Sequence, residues 1–570
     1  MKSVKNLARY QITWNASILL ILIIISSCEK DDLCKTCPDP SNTQETNLPP
    51  IAEAGEDLVI NLPNNRVLLD GSTSYDSDGQ INVWYWNKIA GPDSFYMSSP
   101  NAAHTPVGNL VEGVYVFELK VTDNLGLFTT DTISVTVNAD PTPDIDWQMA
   151  LGGSRIDIGQ SIQTTADGGY ILVGNTNSSD GNISGYHEGT FGCYETCFSQ
   201  IVCDYFPDGL IVKLNSSGAI EWQKAVGGSG ADNLLSVQPT ADGGYIASGL
   251  TYSNDGDVSG YHGGNEADAW VVKFNSIGTI EWQKVLGGST GCDFANAVLP
   301  TPEGGYIIVG HTDSHDGDLI STQGERDVWV VKLNNTGTIE WQSLLGGSAN
   351  DYAYSLLATT DGGYVAAGYS YSNDGDVSGN HGDSDAWVVK FNNSGTIQWQ
   401  KSLGGSKEDI ARSIQLTKDG GYIVAGSTKS NDGDVSGFHS LSNDADAWIV
   451  KLNSGGDIQW QKTMGGSNED IARSIQPTPD GGYIFTGSAI SNNGDVYGNH
   501  GIQDVWIVKL DSTGSIQWQK SMGGNNVDFA NAIQVSTDGS YIVAGQTSSY
   551  NDDVTGHHGS TDVWVVKLKQ

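Results

Sequence analysis

Pairs of aspartates recur in the long loops of this 570-residue chain, and their spacing suits a hard cation. Asp-Gly-Asp occurs in four loops, and three of them share the longer pattern S-N-D-G-D-V-S-G, with carboxylates at Asp255, Asp257, Asp374, Asp376, Asp432 and Asp434. Carboxylates at positions i and i+2 around a glycine can direct oxygens at one centre, so these loops are predicted calcium sites. The alternative is that Asn, Asp and Gly only build the turns through hydrogen bonds to the backbone. The lack of a later bidentate glutamate favours that alternative.

No catalytic residue is predicted. Acid–base catalysis needs a pair of carboxylates set apart by their environment, whereas near-identical acids recur seven times here. The patterns G-x-S-x-G, H-E-x-x-H and the P-loop do not occur. Clustered arginines, which sialidase-like chemistry needs, are not evident, because the arginines beyond residue 144 are only Arg155, Arg326, Arg412 and Arg473.

The loops belong to a unit that the chain spells seven times. Each unit has a Trp-Gln strand, a Gly-Gly turn, an Asp-Gly-Gly-Tyr-type hairpin and a D-[AV]-W-[VI]-V-K-type strand. The hairpin tyrosines are Tyr170, Tyr245, Tyr306, Tyr364, Tyr422, Tyr483 and Tyr541. Four short β-type runs in each of seven units predict a seven-bladed β-propeller of four-stranded blades over residues 144–570.

The two ends of this region predict that the ring closes. It enters with a lone strand of the fourth type, residues 145–148, and finishes on a strand of the third type, residues 563–567. The N-terminal strand is therefore expected to complete the last blade. Such closure removes the open sheet edges that would otherwise invite aggregation.

The turn before each Trp-Gln strand reads N-x-x-G-x-I-x-W in its clearest copies. It resembles the Trp-docking turn of quinoprotein-type propellers and the Asp-box of sialidases, and in both families the element is structural. The resemblance implies that seven tryptophans pack between neighbouring blades, each burying a large apolar area. They are Trp147, Trp222, Trp282, Trp341, Trp399, Trp460 and Trp518.

The loops between blades are predicted to share one face of the ring with the long loops. Each Gly-Gly turn is followed within five residues by an aspartate, at Asp157, Asp232, Asp293, Asp351, Asp409, Asp470 and Asp528. Together with the long loops, these aspartates predict an acidic functional face. One broken repeat with a unique cluster of acid, tyrosine and arginine would favour an enzyme, and the insertion in the first repeat is the expected candidate.

The N-terminus has the features of a lipoprotein signal. Residues 1–9 are basic, residues 18–25 are apolar, and the run ends in Ile-Ser-Ser-Cys at Cys28. This resembles the bacterial lipobox, which implies a signal peptide over residues 1–27 and lipid on Cys28. Residues 28–47 form a predicted flexible tether. The acidic residues 29–32 look like the surface-export signal of Bacteroidota lipoproteins, implying an outer-membrane protein that faces the exterior and contacts the membrane only through its lipid.

Four cysteines of the repeat region are candidates for structural disulfides, the default outside the cytoplasm. Three lie in the insertion of the first repeat and one in a later loop: Cys193, Cys197, Cys203 and Cys292. Four cysteines permit three pairings, and the sequence does not choose among them. A zinc site made only of cysteines is the alternative.

Residues 48–139 follow a different pattern. Six or seven short alternating runs separated by turn residues predict a β-sandwich. The elements L-D-G-S at residues 69–72, D-S-D-G at residues 76–79 and V-T-D at residues 121–123 resemble the PKD family, which has an immunoglobulin-like fold. Such domains act as spacers or binding modules in extracellular proteins.

The formal net charge of −39 repels phosphate backbones, so nucleic-acid binding is not expected. The leading hypothesis is a monomeric, non-catalytic surface protein that recognises a glycan or an extracellular protein through the propeller face. The alternatives are a polysaccharide-processing surface enzyme, either hydrolase or lyase, and an envelope assembly scaffold. No cofactor other than calcium is predicted.

Overall fold

The computed structural model describes residues 46–187, 191–195, 201–264, 266–319, 324–440 and 442–569, apart from residue 63. It divides into two compact units, residues 1–139 and 140–570. The regular elements of the described residues are all β-strands, which confirms the predicted all-β class. Within these residues, no helix has the length and apolar character needed to cross a membrane.

The first unit is a two-sheet sandwich. Its strands are β1 (Leu58–Asn61), β2 (Val67–Asp70), β3 (Ile81–Ala90), β4 (Tyr96–Met97), β5 (His104–Gly108), β6 (Gly113–Asp123) and β7 (Phe128–Asn138). One sheet has the order β1-β7-β6-β3 and the other the order β2-β5-β4. Alternate residues of β6 face a core that contains Trp86, Tyr115 and Phe117, each fully buried. This alternation is what an immunoglobulin-like sandwich requires.

The second unit contains seven antiparallel four-stranded sheets, the blades, in which the first strand of each is innermost. An N-terminal strand, β8 (Asp144–Leu151), precedes them. Blade 1 contains β9 (Asp157–Thr164), β10 (Tyr170–Thr176), β13 (Asp208–Leu214) and β14 (Ile220–Val226). Blade 2 contains β15 (Asp232–Pro239), β16 (Tyr245–Thr251), β17 (Asp268–Phe274) and β18 (Ile280–Leu286). Blade 3 contains β19 (Asp293–Pro300), β20 (Tyr306–Thr312), β21 (Asp327–Leu333) and β22 (Ile339–Leu345). The insertion of blade 1 adds a separate hairpin of β11 (Phe191–Glu195) and β12 (Ile201–Tyr205).

Blades 4 to 7 repeat the same plan. Blade 4 contains β23 (Asp351–Ala358), β24 (Tyr364–Ser370), β25 (Asp385–Phe391) and β26 (Ile397–Leu403), and blade 5 contains β27 (Asp409–Leu416), β28 (Tyr422–Thr428), β29 (Asp446–Leu452) and β30 (Ile458–Met464). Blade 6 contains β31 (Asp470–Pro477), β32 (Tyr483–Ala489), β33 (Asp504–Leu510) and β34 (Ile516–Met522). Blade 7 contains β35 (Asp528–Val535), β36 (Tyr541–Thr547) and β37 (Asp562–Lys569). The outermost strand of blade 7 is β8, paired antiparallel with β37 so that Trp147 faces Lys567. The predicted closure by the N-terminal strand is confirmed.

The ring is continuous around its axis. Each innermost strand contacts the innermost strands of the two neighbouring blades, and β35 of blade 7 contacts β9 of blade 1. A single cavity of about 160 Å³ is lined by all seven innermost strands and forms the central channel. These contacts make the second unit a seven-bladed β-propeller, as the repeat predicts.

The repeated Trp-Gln pair holds the blades together. Its tryptophan packs on the hairpin tyrosine of the next blade, with ring centroids 5.6 to 6.1 Å apart in six pairs. The glutamine accepts a hydrogen bond from the buried tryptophan of the third strand, as between Gln283 and Trp270 at 3.1 Å. At the closure, Gln148 of β8 makes the same bond with Trp564 at 2.9 Å. The two ends of the ring are thus joined by the contacts that define each blade.

Every innermost strand has a β-bulge at its fourth residue. A bulge re-aims one side chain while the flanking ladder continues. The bulged residues all line the channel; they are Gln160, Leu235, Asn296, Tyr354, Arg412, Arg473 and Asn531. One variable position per repeat therefore faces the axis within an otherwise uniform frame.

Candidate functional site

The long loops fold back onto the Gly-Gly turns of their own blades. In blade 2 the backbone N–H of Ser229 donates to Asp255 at 2.7 Å, and that of Asp257 donates to the carbonyl oxygen of Gly227 at 2.7 Å. Asp374 and Asp432 accept the corresponding bonds in blades 4 and 5, at 2.7 and 2.8 Å. The first aspartate of each predicted calcium loop therefore fastens the loop, as the turn interpretation requires.

The second aspartates make weaker contacts. Oxygens of Asp257, Asp376 and Asp434 lie 3.3 to 3.4 Å from glycine N–H groups. Within the described residues, no group of three or more His, Cys, Asp or Glu side chains is arranged to hold a metal ion. Calcium in these loops stays a prediction.

Thermal melts with and without calcium test whether the Asp-Gly-Asp loops bind the ion. If the loops bind calcium, the ion stabilises the folded state by mass action and raises the melting temperature at constant ionic strength. Magnesium should act more weakly because it dehydrates reluctantly. Changing Asp257, Asp376 and Asp434 to Asn should remove the calcium effect and leave the turn bonds of the first aspartates in place. A melting temperature that a chelator leaves unchanged would contradict the calcium sites.

The aspartates between blades do not lie on the surface. All seven, from Asp157 to Asp528, are 0% exposed, so the prediction that they make the face acidic is wrong. Asp232 shows their role: it accepts hydrogen bonds from the Gly228 N–H and the Ser253 hydroxyl, both at 2.7 Å, and from the Thr251 hydroxyl. These acids tie the start of each innermost strand to its neighbours.

A second buried aspartate meets the first across each blade boundary, at the start of the third strand of the preceding blade. Asp208 accepts the His187 N–H at 2.7 Å through one oxygen, while its other oxygen is buried without a hydrogen-bond partner. A Cβ atom on Gly227 would lie 2.4 Å from Asp232 and 3.0 Å from Asp208. Only glycine allows both carboxylates to approach the chain here.

Burial raises the pKa of both acids. It raises the pKa of Asp232 to about 7 in spite of the Thr251 and Ser253 hydrogen bonds, and that of Asp208 to about 6 in spite of His187. Because the two carboxyl groups are buried together at one blade boundary, ionisation of both at once is disfavoured. The pKa is likewise raised to about 7 for Asp293 and to about 6 for Asp351 and Asp409.

Histidines of the long loops bridge the boundaries. His187 lies 3.0 Å from Asp208 through Nδ1 and 3.9 Å from Asp257 of the next blade through Nε2. Equivalent bonds to the third-strand aspartate recur at His262, His381, His439, His500 and His558. The bond to the aspartate of the same blade thus recurs in six blades, and His187, His262 and His439 also reach an aspartate of the next blade, at 3.6 to 4.0 Å.

Blades 3 and 4 break the symmetry on this same face. An aromatic cluster of Phe294, His311, Tyr352, Tyr369 and Tyr371 extends across blades 3 and 4 to an exposed ring at Tyr371. Successive ring centroids are 4.4, 4.9, 4.5 and 5.8 Å apart. His311 is 1% exposed, whereas Tyr371 at the outer end is 42% exposed. The cluster thus presents one accessible ring supported by a packed aromatic row.

A buried arginine fixes this cluster. Arg326 donates to Asp313 at 2.7 Å and to the Tyr352 hydroxyl at 3.3 Å. The pKa of His311 lies well below its usual value because of burial and the Arg326 charge, so its ring is neutral. Burial and the neighbouring tyrosines also raise the pKa of Tyr369, which keeps its hydroxyl protonated. The side chains are held as neutral aromatic surfaces and hydrogen-bond donors.

This cluster is a second segment that departs from the repeat, in addition to the insertion of the first repeat. Its residues lie at repeat positions where other blades carry Ile410, Ile471 or Ser427. Aligning the seven copies would have exposed the departure. The insertion itself places Cys193 opposite Cys203 across its hairpin, and Cys292 forms a disulfide bond. Cys28 and Cys197 fall outside the described residues, so lipidation and the disulfide pairing stay predictions.

The sandwich matches a known domain family. Residues 54–137 match the family described as K319L-like, PKD domain. The chain is 40% identical over 97 residues to low-density lipoprotein receptor-related protein 11 of Homo sapiens, covering 17% of this chain and 19% of that protein. It is 43% identical over 103 residues to the dyslexia-associated protein KIAA0319 homologue of Rattus norvegicus, covering 18% and 10%.

Among solved structures, the PKD domain from KIAA 1837 protein is 33% identical and matches with a TM-score of 0.16, covering 17% of this chain and 96% of that one. The chain spans less than a fifth of the length of the two curated relatives. The family-model match over residues 54–137 supports the PKD resemblance seen in the sequence.

Proposed function

We propose that this protein is a surface binding protein, held to the outer membrane by lipid on Cys28, whose propeller recognises a glycan. The aromatic cluster carries the proposal, because it is the one place among the described residues where an exposed tyrosine caps a row of packed rings. Sugar rings present apolar faces that stack on such side chains, and tyrosine offers a large contact area at low entropic cost.

Polar groups surround the exposed ring. The backbone N–H of Tyr371 donates to the carbonyl oxygen of Asn350 at 3.0 Å, and the Asn350 side chain donates to Glu325 at 3.2 Å. Lys429 pairs with Glu408 at 2.8 Å, and both charges act electrostatically on Tyr371. Amide, carboxylate and ammonium groups beside an aromatic platform can bind sugar hydroxyls and fix their orientation.

We expect Tyr371→Ala to abolish binding on a glycan array of the full-length protein, or to weaken it at least about tenfold, since stacking area is lost from an exposed site. The melting temperature should hardly change, because the ring is half exposed. Tyr550→Ala is the matched control, since Tyr550 is 68% exposed on blade 7 and lies outside the cluster. Equal glycan binding by wild type and Tyr371→Ala would overturn the proposal.

The cluster also bears on a second function, a polysaccharide-processing enzyme. Its unique combination of Asp313, Arg326 and Tyr352 is of the kind that an enzyme would need. The ion pair of Asp313 with Arg326 and the raised pKa of Tyr369 argue against a free base at neutral pH. Product release from bound glycans on the same array would establish the enzyme in place of the binding protein.

A further inference from the structure

Two arginines occupy neighbouring positions in the ring of bulged residues that lines the channel. Arg412 belongs to β27 and Arg473 to β31, innermost strands that contact each other. At the equivalent positions the other blades place neutral side chains: Gln160, Leu235, Asn296, Tyr354 and Asn531. The channel therefore has a positive side, formed by blades 5 and 6, in a chain whose net charge is −39.

Neither arginine has a carboxylate within ion-pair distance among the described residues. The buried Nε atom of each has no hydrogen-bond partner within the described part of the chain. The other two arginines of the propeller have partners for their terminal nitrogens, since Arg326 donates to Asp313 and Arg155 donates to the carbonyl oxygen of Asn177. A buried N–H group without a partner costs free energy, and a ligand oxygen that accepts a hydrogen bond from it would recover that cost.

The two charges also act on each other. The pKa of Arg473 falls to about 10, first because of burial and then because of the nearby Arg412 charge, although the Glu469 carboxylate opposes this fall. Aromatic rings close the two ends of the pair: Arg473 lies 4.9 Å from the centre of the Phe529 ring, and Arg412 interacts electrostatically with Tyr354. No side chain of the ring offers the negative charge that this pair lacks.

We propose that the channel binds an oxyanion group, such as a sulfate, phosphate or carboxylate, between Arg412 and Arg473. Each guanidinium presents several N–H donors in a planar fork that matches oxyanion geometry. Gln415, Gln476 and Gln534 add amide groups to the lining, and the cavity of about 160 Å³ has room for a small anion. The site lies on the channel axis and does not depend on the glycan platform at Tyr371.

Calorimetric titration of the full-length protein tests the site. Sodium sulfate, phosphate and glucuronate are titrated separately against protein in chloride at constant ionic strength, so that the three arms identify the preferred group. We expect saturable binding of one ion per chain for at least one of them. Arg412→Gln and Arg473→Gln should each weaken it at least about tenfold, because hydrogen bonds to charged groups are lost. Both variants should fold, since the same ring position holds Gln160 in blade 1.

Arg66→Gln is the matched control. Arg66 is exposed in the sandwich, so this substitution should leave anion binding unchanged. A second measurement needs no variant. The chain has six arginines, so nitrogen-15 NMR of the arginine Nε–H groups should show two signals that shift in a saturable way with oxyanion but not with chloride. The proposal would be overturned if none of the three anions bound in a saturable way. It would also be overturned if the variant that combines Arg412→Gln with Arg473→Gln bound the anion as tightly as the wild type.

Discussion

Deleting residues 144–150 is expected to open the ring and cause the largest loss of stability of any change considered. The deletion removes most of β8, including Trp147, whose ring packs 6.0 Å from Tyr170 of blade 1, and Gln148, which binds Trp564. Loss of a packed tryptophan alone costs about 3–5 kcal/mol. The exposed edge of β37 should also promote aggregation.

Rescue in trans makes this prediction specific to closure. A synthetic peptide of residues 140–152 should restore the melting temperature of the deletion variant by occupying the free edge of β37. The same peptide with Asp146→Ala should restore it equally, because Asp146 is exposed, whereas the peptide with Trp147→Ala should not. A deletion variant that melts like the wild type would show that the strand does not close the ring.

The second large effect is a fall in stability as the pH rises from 4 to 8. Folding raises the pKa of Asp232 and Asp293 from 3.8 to about 7 through burial. A group with a raised folded pKa binds more protons when folded, so its stabilising contribution is complete below pH 3.8 and is lost as the pH passes 7. Each shift of this size corresponds to ~4 kcal/mol.

Hydrogen-bonded turn aspartates set the lower limit of this window. Although burial opposes it, bonds from Thr240 and Lys273 lower the pKa of Asp242 to about 2, and the pKa of Asp538 is also about 2. Their stabilising contribution is present above pH 3.8 and disappears as the pH falls towards 2. The stability that these two sets of aspartates contribute is therefore expected to be greatest near pH 4.

Thermal melts at pH 5 and pH 8, at constant ionic strength, measure the effect. The wild type should melt at a higher temperature at pH 5. Asp232→Asn should reduce the difference, because the uncharged side chain does not titrate, whereas Asp242→Asn should leave it unchanged. A melting temperature that rises from pH 5 to pH 8 would contradict the buried acid pairs.

The sequence by itself determined the architecture. A period of about 60 residues, four short β-type runs per repeat and the unmatched strands at the two ends were enough to predict seven blades and their closure. The packing of the Trp-Gln tryptophans between blades and the PKD-like sandwich were also predicted from sequence motifs alone. Such features are local, because each repeat encodes its own strands and turns, and the contact with the next blade is the same each time.

Only the tertiary structure decided which residues meet at the boundaries and the axis. From the sequence, the aspartates that follow the Gly-Gly turns were predicted to be charged groups on the surface. The packing of blade against blade buries them beside a second aspartate from the preceding repeat. Arg412 and Arg473 are 61 residues apart in sequence and become neighbours because closure brings all seven bulges to one axis. A repeat pattern records what the copies share, whereas the channel and the aromatic cluster are made from the positions at which they differ.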